Sequence, residues 1–371
     1  MNITKPTLLL DKPRAIRNID NMVSKATRSR VRFRPHFKTH QSAQIGEWFR
    51  ERGVEAITVS SVDMAEYFAR HEWRDITIAF PVNLRELDKI NALAQTITLH
   101  LLVESLDSLR VLQQSLTHPV HLWIKIDTGY HRTGVLWDDV DEILTLTQAI
   151  STSERLTFAG ILAHAGHTYA ARSPERVQEI YRETVSRMQA LRQHLSAQGI
   201  TPCAISIGDT PTCSIVDDLS DVDEIRPGNF VFYDLTQRHV GACTEDQIAV
   251  AVACPVVAKH PERQEIVIYG GAVHLSKESL TLPIRGNDAT PVFGYIAFPE
   301  QTGWGPSLPQ TYVAKLSQEH GIIKTTDPTV FNQVQIGDVL IVLPIHSCLT
   351  ANLLRKYHTL DGESIALADF T

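Results

Sequence analysis

A lysine between two histidines, in the run Arg34-Pro35-His36-Phe37-Lys38-Thr39-His40, stands where the first β-rich segment of the chain gives out. A lysine in that position that sheds its proton attacks carbonyl carbon, which is the requirement for a Schiff base with pyridoxal 5'-phosphate (PLP). The same residues also suit an ordinary surface lysine, the commonest fate of that side chain. His36 and His40 have the His-x3-His spacing of a zinc pair as well. A metal-dependent hydrolase built on His36, His40, His164 and His167 is therefore open from these residues.

Other reactive groups follow β-rich runs in the same way. Asp127-Thr128-Gly129-Tyr130-His131-Arg132 follows the fifth, and His164-Ala165-Gly166-His167-Thr168-Tyr169 the sixth. Gly208-Asp209-Thr210 follows the seventh and Pro227-Gly228-Asn229 the eighth. Gly208 and Gly228 let backbone N–H groups approach an anion closely, and Thr210 adds a hydroxyl donor, so the last two loops suit a phosphate. Far down the chain, His346 and Cys348 lie two apart, which on an extended segment aims both at one ion. Imidazole with thiolate favours Zn2+ over Mg2+ or Ca2+, and a site with only two protein ligands keeps positions open for substrate.

The elements that must position these groups read as follows. Strands are expected at Val31–Arg34, Ala56–Ser60, Ile76–Phe80, Thr98–Val103, His121–Ile126, Phe158–Ala163, Ala204–Ile207 and Val222–Arg226. Amphipathic helices lie between them at Ser42–Arg52, Asp63–His71, Leu84–Ala94 and Pro174–Gln198, with Lys12–Thr27 ahead of the first strand. That alternation predicts an α/β fold, a (β/α)8 barrel of the TIM type, over residues 1–246. From 247 to 371 the pattern changes to β-like runs, Val250–Ala258, Glu265–Ile268, Pro291–Ala297, Tyr312–Ser317 and Val339–Pro344, so a mainly β domain is expected there.

The chain has 371 residues, 43% hydrophobic and 21% charged, with a net charge of −7, which describes a soluble globular protein without a nucleic-acid surface. No apolar run reaches membrane-span length, and the first residues lack the apolar segment of a signal peptide. Five scattered cysteines do not form a disulfide framework, so a cytoplasmic protein is expected.

The PLP-lysine segment around Lys38 resembles that of the D-serine dehydratase and D-threonine aldolase family, whose fold is that of the alanine racemases. The resemblance continues through Lys125-Ile126-Asp127-Thr128-Gly129, His164 to Tyr169, Arg226-Pro227-Gly228-Asn229 and Leu316-Ser317-Gln318-Glu319-His320-Gly321 to His346-Ser347-Cys348. It implies a PLP barrel followed by a β domain, assembled as a homodimer with the active site near the interface. It implies that Lys38 bonds the cofactor and moves the Cα proton, and that Arg132 faces the pyridoxal ring. Gly208, Thr210, Gly228 and Asn229 would hold the phosphate, while His164 and Tyr169 line the pocket. His346 and Cys348 would hold a divalent metal, Zn2+ by the softness of the thiolate, against the β-hydroxyl of a D-amino acid.

The chain departs from the family at Ile345, where relatives often carry asparagine. It also lacks a basic ending in Arg355–Thr371 and an equivalent of the racemases' tyrosine base. Cys348, where aldolase relatives tend to carry aspartate, favours dehydration to a keto acid and ammonia. Retro-aldol cleavage and racemisation are the alternatives, and a non-catalytic PLP-binding barrel is a further one that the second domain argues against.

Overall fold

The computed structural model describes residues 2–285 and 288–370, the side chains of 283–285 and 288 excepted. Met1 and Thr371, the outer ends of the two expected domains, lie outside the described residues. Two compact units result: Asp20–Gly228 with the tail from Ala368, and the segment up to Ile19 with Asn229–Leu367.

The first unit is a parallel barrel. Its strands are β1 (Arg32–Phe33), β2 (Ala56–Val59), β3 (Asp75–Pro81), β4 (Thr98–Val103), β5 (Val120–Asp127), β6 (Leu156–Ala163), β7 (Ala204–Ile207) and β8 (Glu224–Ile225). They neighbour one another in the order β1-β8-β7-β6-β5-β4-β3-β2. The circle closes where β1 runs on: His36 bridges Thr58 in parallel, Thr58 N–H donates to the Pro35 carbonyl at 2.9 Å and Phe37 N–H to the Thr58 carbonyl at 2.8 Å. All eight strands coincide with the runs expected from the sequence, because parallel strands covered on both sides must be short and apolar throughout, as fully buried Ala56–Val59 shows.

Helix boundaries follow their caps. Ser61 accepts from Met64 N–H, so that helix begins at Val62 rather than Asp63, and Ser173 with Pro174 sets the start of Pro174–Ala197. Helices Leu106–Ser115 and Val140–Ser151, not singled out from the sequence, fill the remaining crossovers.

Leu102, Trp123 and Leu162 form an apolar layer inside the barrel. Beside it lies a buried ionic layer. Arg34, with no exposed surface, pairs through Nε with Glu224 at 2.7 Å and through Nη1 with Asp75. Ser206 Oγ donates to Glu224 at 2.8 Å and receives Arg226 Nε at 2.7 Å. A buried charge persists only when paired in this way.

The second unit is antiparallel. β9 (Val250–His260), β10 (Glu265–Tyr269), β11 (Gly294–Ala297), β12 (Thr311–Leu316), β13 (His320–Thr325) and β14 (Val339–Pro344) neighbour in the order β9-β10-β13-β12-β11-β14 and return to β9. A closed ring leaves no free edge among these strands. Beyond β9 the sheet continues into Thr7–Leu10, then Lys356–Thr359 and Ser364–Ala366.

Two segments pack with the β unit. Residues 229–246 belong with the β unit, because Asp234 accepts from Ser347 N–H at 3.0 Å and Thr236 Oγ1 donates to the Ile345 carbonyl at 2.8 Å. The N-terminal strand Thr7–Leu10 joins them through antiparallel pairing with β9.

Candidate active site

The barrel rim. Lys38 lies in the turn that follows the His36 bridge, at the carboxyl end of β1. The side chain is exposed on the rim, and its charge acts on His36 and His164. The turn rests on the loop after β8. A Cβ at Gly228 would fall 2.8 Å from the His36 carbonyl oxygen and 3.1 Å from Thr39 Oγ1, so no other residue fits there. A Cβ at Gly208 would meet Arg226 Cβ at 2.9 Å. Between these glycines Thr210 is fully buried, and its Oγ1 has no hydrogen-bond partner among the described residues. A buried hydroxyl left over beside two glycine approaches fits the phosphate of PLP.

His164 ends β6 and turns Nδ1 to the Gly208 carbonyl. Nδ1 is thereby the protonated nitrogen, and Nε2 keeps its lone pair. Burial, reinforced by the cations of Lys38 and Arg132, holds the imidazolium pKa well below its ordinary value, so the ring is neutral at neutral pH. Tyr169 sits 6.2 Å from the His164 ring, centroid to centroid, and its hydroxyl accepts from Thr210 N–H at 3.2 Å.

The loop after β5 is shaped by Asp127. Its Oδ1 accepts from the N–H groups of Gly129, Tyr130 and His131 at 2.9 to 3.0 Å, and Oδ2 meets His131 Nδ1 at 3.0 Å. This places Arg132 on the rim, 5.1 Å over the Tyr130 ring, where its charge reaches His164 and Lys125.

Two site residues in the quoted motifs received no role from the sequence. Lys125 is buried, and burial together with Arg226 and Arg132 brings its pKa down to about 8. Arg226 is buried too and spans from Ser206 to the Ala163 carbonyl, 2.8 Å from Nη2. With Lys38 and Arg132 they make the rim electropositive, which suits an anionic cofactor and substrate. Their place in β5 and directly after β8 was the available signal; depth in the barrel was not readable.

The histidine-based hydrolase site does not assemble. His40 lies in an aromatic cluster, 4.4 Å from Phe37 and 5.6 Å from Phe49 by ring centroid, and its Nδ1 accepts from Ser42 N–H. Among the described residues no group of three or more His, Cys, Asp or Glu is arranged to hold a metal.

The β unit. His346 and Cys348 converge, though not by alternation along a strand. His346 is the N-cap of helix Ser347–Leu354 and Cys348 lies in its first turn. The two side chains are within hydrogen-bond reach of each other. Burial alone would lower the His346 imidazolium, but the bonds to Cys348 and Glu278, with Asp234 nearby, outweigh it and carry the pKa up to about 11. An imidazole and a thiol side by side, with a carboxylate on the imidazole's other nitrogen, make a donor pair that fits a divalent ion. Asn229 directs its side chain within this unit: Nδ2 lies 2.6 Å from Asp234 Oδ2, 3.0 Å from Ser347 Oγ and 3.5 Å from Cys348 Sγ. Glu278, which no motif announced, holds His346 Nδ1 at 2.7 Å.

A closed parallel barrel with a lysine and glycine-lined anion loops on its carboxyl rim, preceding a separate antiparallel unit, is the architecture of the alanine racemase fold. The chain belongs to the family described as "Alanine racemase, N-terminal domain", whose model matches residues 10–235. Residues 249–360 match a second model, "Putative serine dehydratase domain". Over 372 residues the chain is 28% identical to D-threo-3-hydroxyaspartate dehydratase of Delftia sp. strain HT23, covering 98% of this chain and 96% of that protein. It is 26% identical over 388 residues to D-serine dehydratase of Dictyostelium discoideum, covering 100% and 96%. The solved structure of the Delftia enzyme superposes with a TM-score of 0.89 at 26% identity, covering 99% of this chain and 98% of that one. Solved variants of that enzyme include a histidine-to-alanine mutant and, two positions later in its chain, a cysteine-to-alanine mutant in the metal-free form.

Proposed function

We propose that this chain is a PLP- and divalent-metal-dependent lyase that dehydrates a β-hydroxy D-amino acid to a keto acid and ammonia. The observation that carries the reading is the seating of the Lys38 turn on Gly228, beside His164 and the unpartnered hydroxyl of Thr210. Relatives named for dehydration of D-serine and D-threo-3-hydroxyaspartate, matched over nearly the whole chain, support the substrate class.

In this reading Lys38 would hold PLP covalently, and its amine would take the proton from Cα of the substrate. Gly208, Thr210, Gly228 and Asn229 hold the phosphate, and Arg132 faces the ring. PLP, when bound, accepts the electrons left at Cα. His164, neutral and with Nε2 open, and Tyr169 line the substrate side. A divalent ion on His346 and Cys348, Zn2+ by ligand softness, supplies Lewis acidity at the β-oxygen. The water lost in elimination is recovered in hydrolysis, so keto acid and ammonia are the net products. A homodimer is the proposed assembly. Among the described residues no helix is long and apolar enough to cross a membrane.

The test uses purified protein with D-serine, D-threonine and D-threo-3-hydroxyaspartate, with and without chelator. The expected outcome is a near-visible cofactor band that Lys38→Ala removes, and metal-dependent keto acid. Glycine with an aldehyde as products would replace dehydration by retro-aldol cleavage, and a missing band would overturn the reading.

A further inference from the structure

The pair His346 and Cys348 is held by side chains from distant positions in the chain. Glu278 lies 68 positions away in sequence, yet its Oε2 is 2.7 Å from His346 Nδ1. A carboxylate there makes Nδ1 the protonated nitrogen and leaves the Nε2 lone pair for an ion. Glu278 is not itself a third ligand, since no group of three donor residues is arranged around an ion among the described residues.

Cys348 is addressed from the other side. Asn229, 6% exposed, places Nδ2 at 3.5 Å from its sulfur. The orientation of that amide is fixed by Asp234, whose Oδ2 lies 2.6 Å from Nδ2 and could not tolerate the amide oxygen instead. Asp234 is anchored in turn by the N–H groups of Ser347 and Gln237, each at 3.0 Å. An N–H donor directed at sulfur favours the thiolate and limits its rotation.

We propose that Glu278 and Asn229, the latter oriented by Asp234, are positioning residues for the metal: Glu278 selects the imidazole tautomer of His346 and Asn229 aims the thiolate of Cys348. This rests on the reading of His346 and Cys348 as metal ligands. Outer partners of this kind change affinity by about ten- to a hundredfold when removed. Glu278 is half-exposed and caps no helix, so its loss acts on the imidazole and not on folding.

The experiment is Zn2+ titration of the PLP-loaded full chain against a chromophoric chelator, with Co2+ ligand-field spectra recorded at wavelengths beyond the cofactor band. Glu278→Ala is expected to weaken Zn2+ binding by about ten- to a hundredfold. Glu278→Gln, which retains an acceptor for Nδ1–H, is expected to recover most of that loss, and Asn229→Ala to shift the Co2+ bands. An unchanged cofactor band in Glu278→Ala and Glu278→Gln confirms that the barrel is intact. Wild-type Zn2+ affinity in Glu278→Ala, beside loss of Zn2+ in Cys348→Ala, would overturn the positioning role while the metal reading stands. Failure of the wild-type chain to take up Zn2+ would overturn both.

Discussion

The two candidate sites of this molecule are built by opposite means. On the barrel rim the backbone does most of the shaping: glycines admit close approach, Asp127 gathers three N–H groups, and a histidine is oriented by a carbonyl. In the β unit side chains shape everything, with Glu278, Asn229 and Asp234 converging on one helix start from distant positions. A backbone site tolerates almost no added atom, whereas a side-chain site tolerates substitution in graded steps. Mutations therefore separate the two.

The largest effect is expected from Cys348→Ala. Turnover should fall by more than about a thousandfold with the metal, a loss on the scale of several kcal/mol of barrier. The near-visible cofactor band should persist, and an absorbance spectrum taken beside the assay decides whether the two sites are chemically separable.

Next is Arg34→Met. Arg32 stays 2.5 Å from Asp75 and 4.0 Å from Glu224, but loss of the close, buried cation on Glu224 should cost about 3–5 kcal/mol of stability, read by denaturant unfolding. A cost near zero would mean that the ionic layer is no more than replaceable filling.

Gly228→Ala tests the backbone site directly. The new methyl group must displace the His36 carbonyl or the Lys38 turn, so PLP affinity should fall by roughly tenfold or more while Zn2+ binding stays unchanged. Equal weakening of both would show that the sites are not independent.

The smallest effect concerns acid. Burial would raise the Asp75 carboxyl, but hydrogen bonds from His100 and Arg34 outweigh it and hold the group far below the usual carboxylate range. A depressed carboxyl contributes stability that is complete above its unfolded pKa, near 3.9, and is lost as pH falls toward the folded value. Below about pH 4 the wild-type melting temperature should thus fall more steeply than that of Asp75→Asn; parallel curves would remove Asp75 from the account.

The contrast also explains what could be read from the chain alone. Barrel strands and rim loops were legible because buried parallel strands are short apolar runs and the reactive residues follow them in order. Lys38, His164, Gly208 and Gly228 each stand just past the end of such a run. Thr7–Leu10 was passed over: its partners in β9 are some 240 positions away, and four apolar residues carry no local sign of them. The segment from His346 to Cys348 was read as extended because β14 leads straight into it, and only His346 as N-cap turns the chain into a helix. Glu278 was invisible for a similar reason, since its partner lies 68 positions on, with four strands of the β unit's ring between them.

The strand Thr7–Leu10 has a consequence for biogenesis. It precedes the barrel strands in the chain, yet both its neighbours, β9 and Lys356–Thr359, are translated only after them. An unpaired apolar strand must stay sheltered throughout elongation while the barrel can already fold. Nascent chains stalled before residue 250 should therefore carry the barrel strands together with an apolar strand that still lacks both its partners, a state that calls for a chaperone.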